Sequence, residues 1–403
     1  MEVGVTLERA IELTSSIPLP YSFESIPLTE ARGRITSAPL HSMVDDPRFD
    51  NSAMDGFAVR ATDCDSESST LSIVGISQAG NPALPSVGVG EACRIMTGAK
   101  IPPGADAIVM IEDTEIEDNV VTVTGPARPG FIRKQGENFR FGDQGLPAGT
   151  LLTPSRIAMA AAMGHSEIQV VKKPKVAVIS TGDELYEPGE PLTDSGIYES
   201  NTKALVGMLE VMGCEATNMG IVEDNESTLR LTLDKATEGH DLIITSGGVS
   251  MGEWDLIRKL MENEGDISFW RIKIKPGGPP LFGTWKGTPL FGLPGNPVSS
   301  QLVFLTVVAP YLTHSFAHDD KHGPSLAERV HVKLTTPLKG TPNKLTMRRL
   351  NISSTPQGLV ANAPNNQGSG NVASMVECNG LSLLPAGSDG SVGDTIEALW
   401  LNK

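Results

Sequence analysis

Cysteine is scarce in this chain. Four residues in 403, Cys64, Cys93, Cys214 and Cys378, lie scattered with no CxxC pair. That spacing excludes a zinc ribbon and gives no sign of a disulfide framework. Long apolar runs are missing too: none approaches the roughly 18 residues of a membrane span, and no basic-then-apolar signal opens the chain. Positive charge is short, with 32 Lys and Arg against 48 Asp and Glu, a formal net charge of −16. A nucleic-acid binder needs a basic face to neutralise phosphates, so the balance argues against that class. A small anionic substrate stays open, because a local basic site or a metal ion overrides the mean. No P-loop or GxGxxG fingerprint is present, and no Ser/His/Asp or Cys/His arrangement marks a covalent nucleophile. The expectation is a soluble cytoplasmic protein with no membrane and no nucleic-acid partner.

What is there has a globular composition, 39% hydrophobic and 20% charged, and a length for two to four domains at roughly 150 residues each. Residues 5–16 carry apolar side chains at Leu7, Ala10, Ile11 and Leu13, an amphipathic helix ending before Pro18 and Pro20. Short β runs separated by Gly and Pro fill residues 51–140, a small all-β unit. Pro154 starts a helix that Gly164 stops. The β unit therefore reads as an insertion into a longer N-terminal domain of residues 1–50 and 141–172. From Lys175 strands and helices alternate, which predicts a doubly wound parallel sheet over 173–325. His314, His318 and His322 have a spacing that suits a metal on a helix. Gly323-Pro324 and thin apolar support make a solvated hinge the plainer reading. Residues 326–403 return to short strands, a terminal all-β domain.

The central stretch is Thr245-Ser246-Gly247-Gly248-Val249-Ser250-Met251-Gly252-Glu253-Trp254-Asp255. It follows the apolar strand Leu242-Ile243-Ile244 and leads into a helix. Paired glycines let backbone N–H groups approach a phosphate, and a helix N-terminus favours an anion. On its own residues the stretch reads first as an ordinary βα loop, where Gly and Ser satisfy turn geometry. In a doubly wound sheet, ligands sit beyond the carboxyl ends of the strands. That places Ser180 to Glu184, Ile221 to Asn225, Thr245 to Asp255 and Pro294 to Ser300 at one rim. Acids on adjacent strand ends, Asp183, Glu184, Asp224, Glu253 and Asp255, would repel an anion unless a hard cation such as Mg²⁺ intervenes. Lys273 and Lys275 supply nearby positive charge. Asn296 reads as an N-cap with Pro297 in the first helical turn, a possible second anion site.

Seven motifs then resemble one family. Asp50 to Val59, Ile95 to Ala99, Gly104 to Val109, Ser180 to Leu185, Ser246 to Asp255, Lys275-Pro276-Gly277 and Gly292 to Ser299 closely resemble the molybdopterin molybdenumtransferases, the MoeA and gephyrin E-domain family. The resemblance implies an elongated N-terminal domain, an inserted β lid (51–140), a molybdopterin-binding α/β domain and a C-terminal β barrel. It implies molybdenum insertion from molybdate into adenylylated molybdopterin, with Mg²⁺-dependent hydrolysis of the adenylate and release of AMP. It implies a homodimer whose cleft combines one subunit's lid with the other's α/β domain, and handover of substrate from the molybdopterin adenylyltransferase.

Residue by residue, the resemblance assigns Asp55 as the lid acid and Glu184, Asp224 and Asp255 as cation-side acids. Lys275 becomes a basic residue of the anion site. Thr181, Gly182, Asp183, Ser246, Gly247, Gly248, Val249 and Ser250 would bind substrate, as would Pro294, Gly295, Asn296, Pro297 and Ser369. The chain also departs from the family. Asn138 stands in place of an Asp, Gly278 in place of the second lysine of Lys-Pro-Gly-Lys-Pro, Asn343-Lys344 in place of Gly-Arg, and Met347 in place of Phe. Lys does not reproduce the bidentate grip of Arg. Two alternatives follow from these departures: a paralogue with an altered oxyanion such as tungstate, or a non-catalytic scaffold on the same fold.

Overall fold

The protein is described by a computed structural model that covers residues 1–401 except 67, 82, 83, 250–254 and 320. Its centre is a seven-stranded sheet. In spatial order the strands are Glu2–Val5, Asp266–Ile272, Leu281–Trp285, Thr288–Leu293, Leu242–Ser246, Lys175–Thr181 and Glu215–Val222. The last four are mutually parallel. Leu281–Trp285 runs against both its neighbours, so the expected parallel sheet is a mixed one. A two-residue turn makes the reversal: Lys286 and Gly287 both have positive φ, 49° and 87°, the conformation that tight hairpins favour.

Helices cover both faces because the strand residues alternate. Val176, Val178, Leu242 and Ile244 enter one core with Leu205 and Leu209 of the helix Asn201–Val211. Ala177, Ile179 and Ile243 enter the other with Leu229 and Leu233 of Glu226–Thr237 and Ile257 and Leu260 of Leu256–Glu264. Period-two side-chain alternation on a sheet buried from both sides produces this split. Full burial of each Val, Leu or Ile among them contributes roughly 1.5–3 kcal/mol.

The chain starts in this unit, with Glu2–Val5 as an edge strand and the helix Leu7–Ser15 behind it. It then crosses to a smaller body where Phe23–Pro27 pairs with Glu167–Val171, and Leu40–His41 with Gln144–Leu146. The six-stranded lid sheet leaves from that body and returns to it. Its two connections run side by side, bridged at Asp46 and Phe139 and at Asn51–Ser52 and Ile132–Arg133. That is the geometry of an insertion.

A closed five-stranded barrel ends the chain. It docks on the α/β unit where Leu345–Thr346 pairs with Ile274–Lys275, and Met347 is wholly buried in the α/β core. The polar stretch expected as a solvated hinge is pinned instead: Asp319 N–H donates to Gly149 O at 3.1 Å and Leu151 N–H to His322 O at 2.8 Å. His318 is buried against Phe316, and burial pushes its imidazole down to about 4.

Leu205 is fully enclosed. Leu205→Ala is expected to lower stability by about 2–5 kcal/mol, read as a shift of the urea unfolding midpoint.

Candidate functional site

Register brings the strand ends level. Ser180 pairs with Ser246, Ser246 with Leu293 and Thr181 with Val222, so the loops that follow leave the sheet together. Between them lies a cavity of about 700 Å³. Of the residues expected at the site, Thr181, Gly182, Glu184, Asp224, Ser246, Gly247, Gly248, Asp255, Gly295, Asn296 and Pro297 line it. Asp183 stands beside it and accepts the Asp224 N–H at 3.0 Å. Val249 is buried beneath, its carbonyl accepting from the Trp270 indole at 3.2 Å. Ser250 and Glu253 lie outside the described residues.

A second cavity, of about 420 Å³, opens next to the first and shares Asn296 with it. Lys275, Pro294 and Ser369 line this one, together with Arg271, Gly278 and Lys344. Asp55 borders neither cavity. It is exposed on the lid, where Thr97 donates to its carboxylate from backbone N–H at 2.7 Å and from the hydroxyl at 3.0 Å. Those bonds hold its carboxyl below the usual range.

The glycines are required by close approach. A Cβ on Gly247 would lie 2.6 Å from the Thr181 carbonyl oxygen, and φ is +104° there. Gly248 also has positive φ, +65°. Gly247 N–H donates to Leu293 O at 3.0 Å, which ties two of the loops together. Asn201 ties them again: its amide donates to Ser246 Oγ at 2.8 Å and to Gly295 O at 2.7 Å. Asn201 was not among the expected residues, nor was Glu199. Glu199 is buried and caps the helix Asn201–Val211, accepting from Thr202 N–H at 2.8 Å and from the Lys203 ammonium at 3.2 Å. Burial pushes its carboxyl up, but these bonds outweigh that and hold it below the usual range.

The two cavities differ in charge. Glu184, Asp224 and Asp255 border the first. Burial, then the charges of Asp183, Glu184 and Asp255, push the Asp224 carboxyl above its ordinary range. Among the described residues no three His, Cys, Asp or Glu side chains converge tightly enough to hold one metal by themselves. The second cavity is basic, and neither Lys275 nor Lys344 forms a salt bridge among the described residues. Arg349, also unanticipated, is buried near its border. Its guanidinium donates to Ser374 Oγ at 3.1 Å and to Gly368 O at 2.9 Å, which braces the loop carrying Ser369. Its Nη1 is buried without a partner among the described residues. Asn138 lines neither cavity. Its amide donates to the Asp46 carboxylate at 2.9 Å, at the root of the lid.

A glycine-lined, acid-rimmed cavity beside a basic pocket, on an α/β unit with an inserted β sheet and a barrel, is the framework of a multidomain enzyme. The comparisons make the class specific. The MoeA N-terminal region (domain I and II) matches residues 5–164, a "Probable molybdopterin binding domain" matches 177–314, and the MoeA C-terminal region (domain IV) matches 331–401. The molybdopterin molybdenumtransferase of Synechococcus elongatus is 35% identical over 405 residues, covering 96% of each chain. That of Haemophilus influenzae is 41% identical over 311 residues, 76% of this chain and 77% of its own. The crystal structure of the molybdopterin biosynthesis moeA protein from Pyrococcus horikoshii OT3 superposes with a TM-score of 0.83 at 28% identity, over 98% of this chain and 100% of that one. The chain belongs to the MoeA family, the molybdopterin molybdenumtransferases of molybdenum cofactor biosynthesis. Among the described residues no helix is long and apolar enough to cross a membrane.

The raised Asp224 carboxyl makes a stability prediction. A raised folded-state value favours the neutral acid, so the ionised form costs stability above the ordinary value of 3.8 and the cost vanishes below it. Asp224→Asn is therefore expected to melt higher than wild type at pH 7, with the difference shrinking as the pH falls toward 4. Calorimetry across that range checks it.

Proposed function

We propose that this chain transfers molybdenum from molybdate to adenylylated molybdopterin, hydrolysing the adenylate and releasing AMP. The observation that carries the reading is the pair of adjoining cavities of opposite charge, joined at Asn296. One substrate with a phosphate and a metal-receiving dithiolene suits both at once. Ser246, Gly247 and Gly248 cradle the phosphate with Thr181, Gly182 and Asp183, while Gly295, Asn296 and Pro297 close the far side. Lys275, Lys344 and Ser369 take molybdate in the basic pocket, beside Pro294. Val249 serves from below, as the packed floor of the cradle. Ser250 keeps its proposed place by sequence alone.

Mg²⁺ fits the acidic side. A carboxyl that burial and neighbouring acids push up, as they do Asp224, favours a cation, and Mg²⁺ is ordinarily held by one or two carboxylates, waters and substrate phosphates rather than a protein cage. One or two of Glu184, Asp224 and Asp255 would hold it together with the substrate's phosphates, and it would neutralise charge on those phosphates. Asp55 supports the homodimer. It is an oriented, ionised acid that borders neither cavity of its own chain, as a residue serving a partner's cleft would be. Handover from the molybdopterin adenylyltransferase and a cytoplasmic location complete the reading, in keeping with a biosynthetic family. The scaffold alternative draws on Asn138 and Gly278. Asn138 satisfies Asp46 and leaves the two cavities untouched, which favours the enzyme.

Purified protein given adenylyl-molybdopterin, Mg²⁺ and molybdate is expected to release AMP only when molybdate is present. Asp255→Asn is expected to slow that release by about 100-fold or more. Wild-type protein that releases no AMP overturns the proposal.

A second prediction concerns the missing cation. A Cβ on Gly278 would meet Ile274 O at 3.4 Å and Lys344 Nζ at 4.0 Å, ordinary contact distances. Gly278→Lys is therefore accommodated and is expected to lower the half-saturating molybdate concentration roughly 5-fold, one added charge-assisted contact of about 1 kcal/mol. Initial rates against molybdate concentration give the value.

A further inference from the structure

We propose that Asp46 is a positioning residue of the lid: with Asn138 it forms a single-charge clasp across the lid's neck that holds Asp55 where the reaction uses it. The part played by Asp55 rests on the function proposed above, whereas the clasp itself does not.

The neck is two connections, one leaving for the lid and one returning. Asp45, Asp46 and Asp50 all lie on the outgoing one, and each receives a hydrogen bond from the returning one. Gln135 donates its side-chain amide to Asp45 at 2.7 Å and its backbone N–H to Asp50 at 2.9 Å. Phe141 N–H donates to the other Asp45 oxygen at 2.8 Å, and the Lys134 ammonium meets Asp50 at 2.8 Å. The Asn138 amide donates to the Asp46 carboxylate at 2.9 Å. Backbone bonds set these two face to face: Asn138 N–H donates to Asp46 O at 2.9 Å, and Asp46 N–H to Phe139 O at 2.8 Å.

This arrangement accounts for the amide at 138. An acid there would face the Asp46 carboxylate across the neck, and like charges directly opposite each other on paired chains destabilise. With the acid at 46 and the amide at 138, the pair carries one negative charge, as a lone acid at 138 would. It also gains a charge-assisted bond, roughly twice as strong as one between neutral groups. Asn138 is thus half of an exchanged pair.

The neck runs on to Asp55 through bonded segments. Asn51–Ser52 pairs with Ile132–Arg133. The buried Ser52 hydroxyl donates to Met54 O at 2.6 Å, and Ser52 O accepts the Gly98 N–H at 2.8 Å. Asp55 follows Met54 directly, and Thr97, directly before Gly98, donates to its carboxylate. On the returning side Gly136, with φ of 71°, donates its N–H to Pro47 O at 3.0 Å, and Lys134 N–H donates to the Glu137 carboxylate at 2.8 Å. Few free torsions separate the clasp from Asp55, so the angle set at Asp46 reaches the lid acid.

Hydrogen exchange of residues 44–52 and 132–142 in the full chain, measured beside molybdate-dependent AMP release, tests this. Asn138→Asp sets two acids face to face and is expected to speed neck exchange roughly 10-fold and slow AMP release roughly 5-fold. Asp46→Asn combined with Asn138→Asp restores one acid and one amide, and is expected within about 2-fold of wild type in both measurements. Asp46→Ala and Asn138→Ala should each speed exchange about 3-fold and together no more than either alone, as for one shared bond. Asn138→Asp that exchanges like wild type overturns the clasp, as does a double variant no tighter than Asn138→Asp. A loosened neck with unchanged AMP release overturns the positioning role. Wild type that releases no AMP strikes the proposed function, and the role of Asp55 with it, while the exchange rates still decide the clasp.

Discussion

Gly247 packs against the end of the neighbouring strand with no room for a side chain: a Cβ would lie 2.6 Å from the Thr181 carbonyl and 2.8 Å from the Thr181 hydroxyl. Other features of the site depend on that approach. It lets the backbone after Leu242–Ser246 fold over the strand end, bringing the Gly247 N–H to Leu293 O. It sets Gly295 against Gly247, with a Cβ position 3.6 Å from the Gly247 Cα. It leaves Ser246 where Asn201 can reach it and Gly295 together. Any side chain at Gly247 would meet the Thr181 backbone, so the loop or the strand end must shift.

Much of this was legible. The order of glycine, hydroxyl and acid after an apolar strand marks a strand end, and parallel pairing puts such ends at one rim. Thr181, Glu184, Asp224, Gly247 and Asp255 therefore fell together as expected. The lid insertion was legible because β runs interrupt a pattern that resumes afterwards. Asn201, Glu199 and Arg349 were not, because each matters through distant partners. Asn201 meets groups 45 and 94 residues away, and an Asn at the start of a helix reads as nothing more than a cap. Arg349 sits beside Arg348 in a short β run, where two arginines suggest a solvated face, yet one of them is almost wholly enclosed.

The mixed sheet and the pinned hinge were misjudged for one shared reason. Short apolar runs carry no direction, so Leu281–Trp285 looked like any other buried strand. The signal for reversal was the Lys286-Gly287 pair, two residues between two apolar runs. The polar run around His318 likewise hid its partners, since backbone bonds to Gly149 and Leu151 come from far earlier in the chain. In both cases composition described the residues while the decisive contact lay elsewhere.

A chain of net charge −16 with a basic cavity must let its field vary over short distances. Two arrangements provide this. Basic groups gather where the barrel docks: Lys275 and Arg271 come from the α/β unit and Lys344 from the barrel. Neither lysine is neutralised by a salt bridge among the described residues, so their charge remains available to the cavity. The acids gather on the other side of Asn296, where burial, then the charges of Asp183, Glu184 and Asp255, push the Asp224 carboxyl up. Screening in water would blur such a boundary over about 8–10 Å at ordinary ionic strength, but partly enclosed cavities are screened less. The barrel is therefore part of the electrostatics as well as the fold. Without its docking edge, the acidic strand ends would face an anion with Lys275 and Arg271 alone against them.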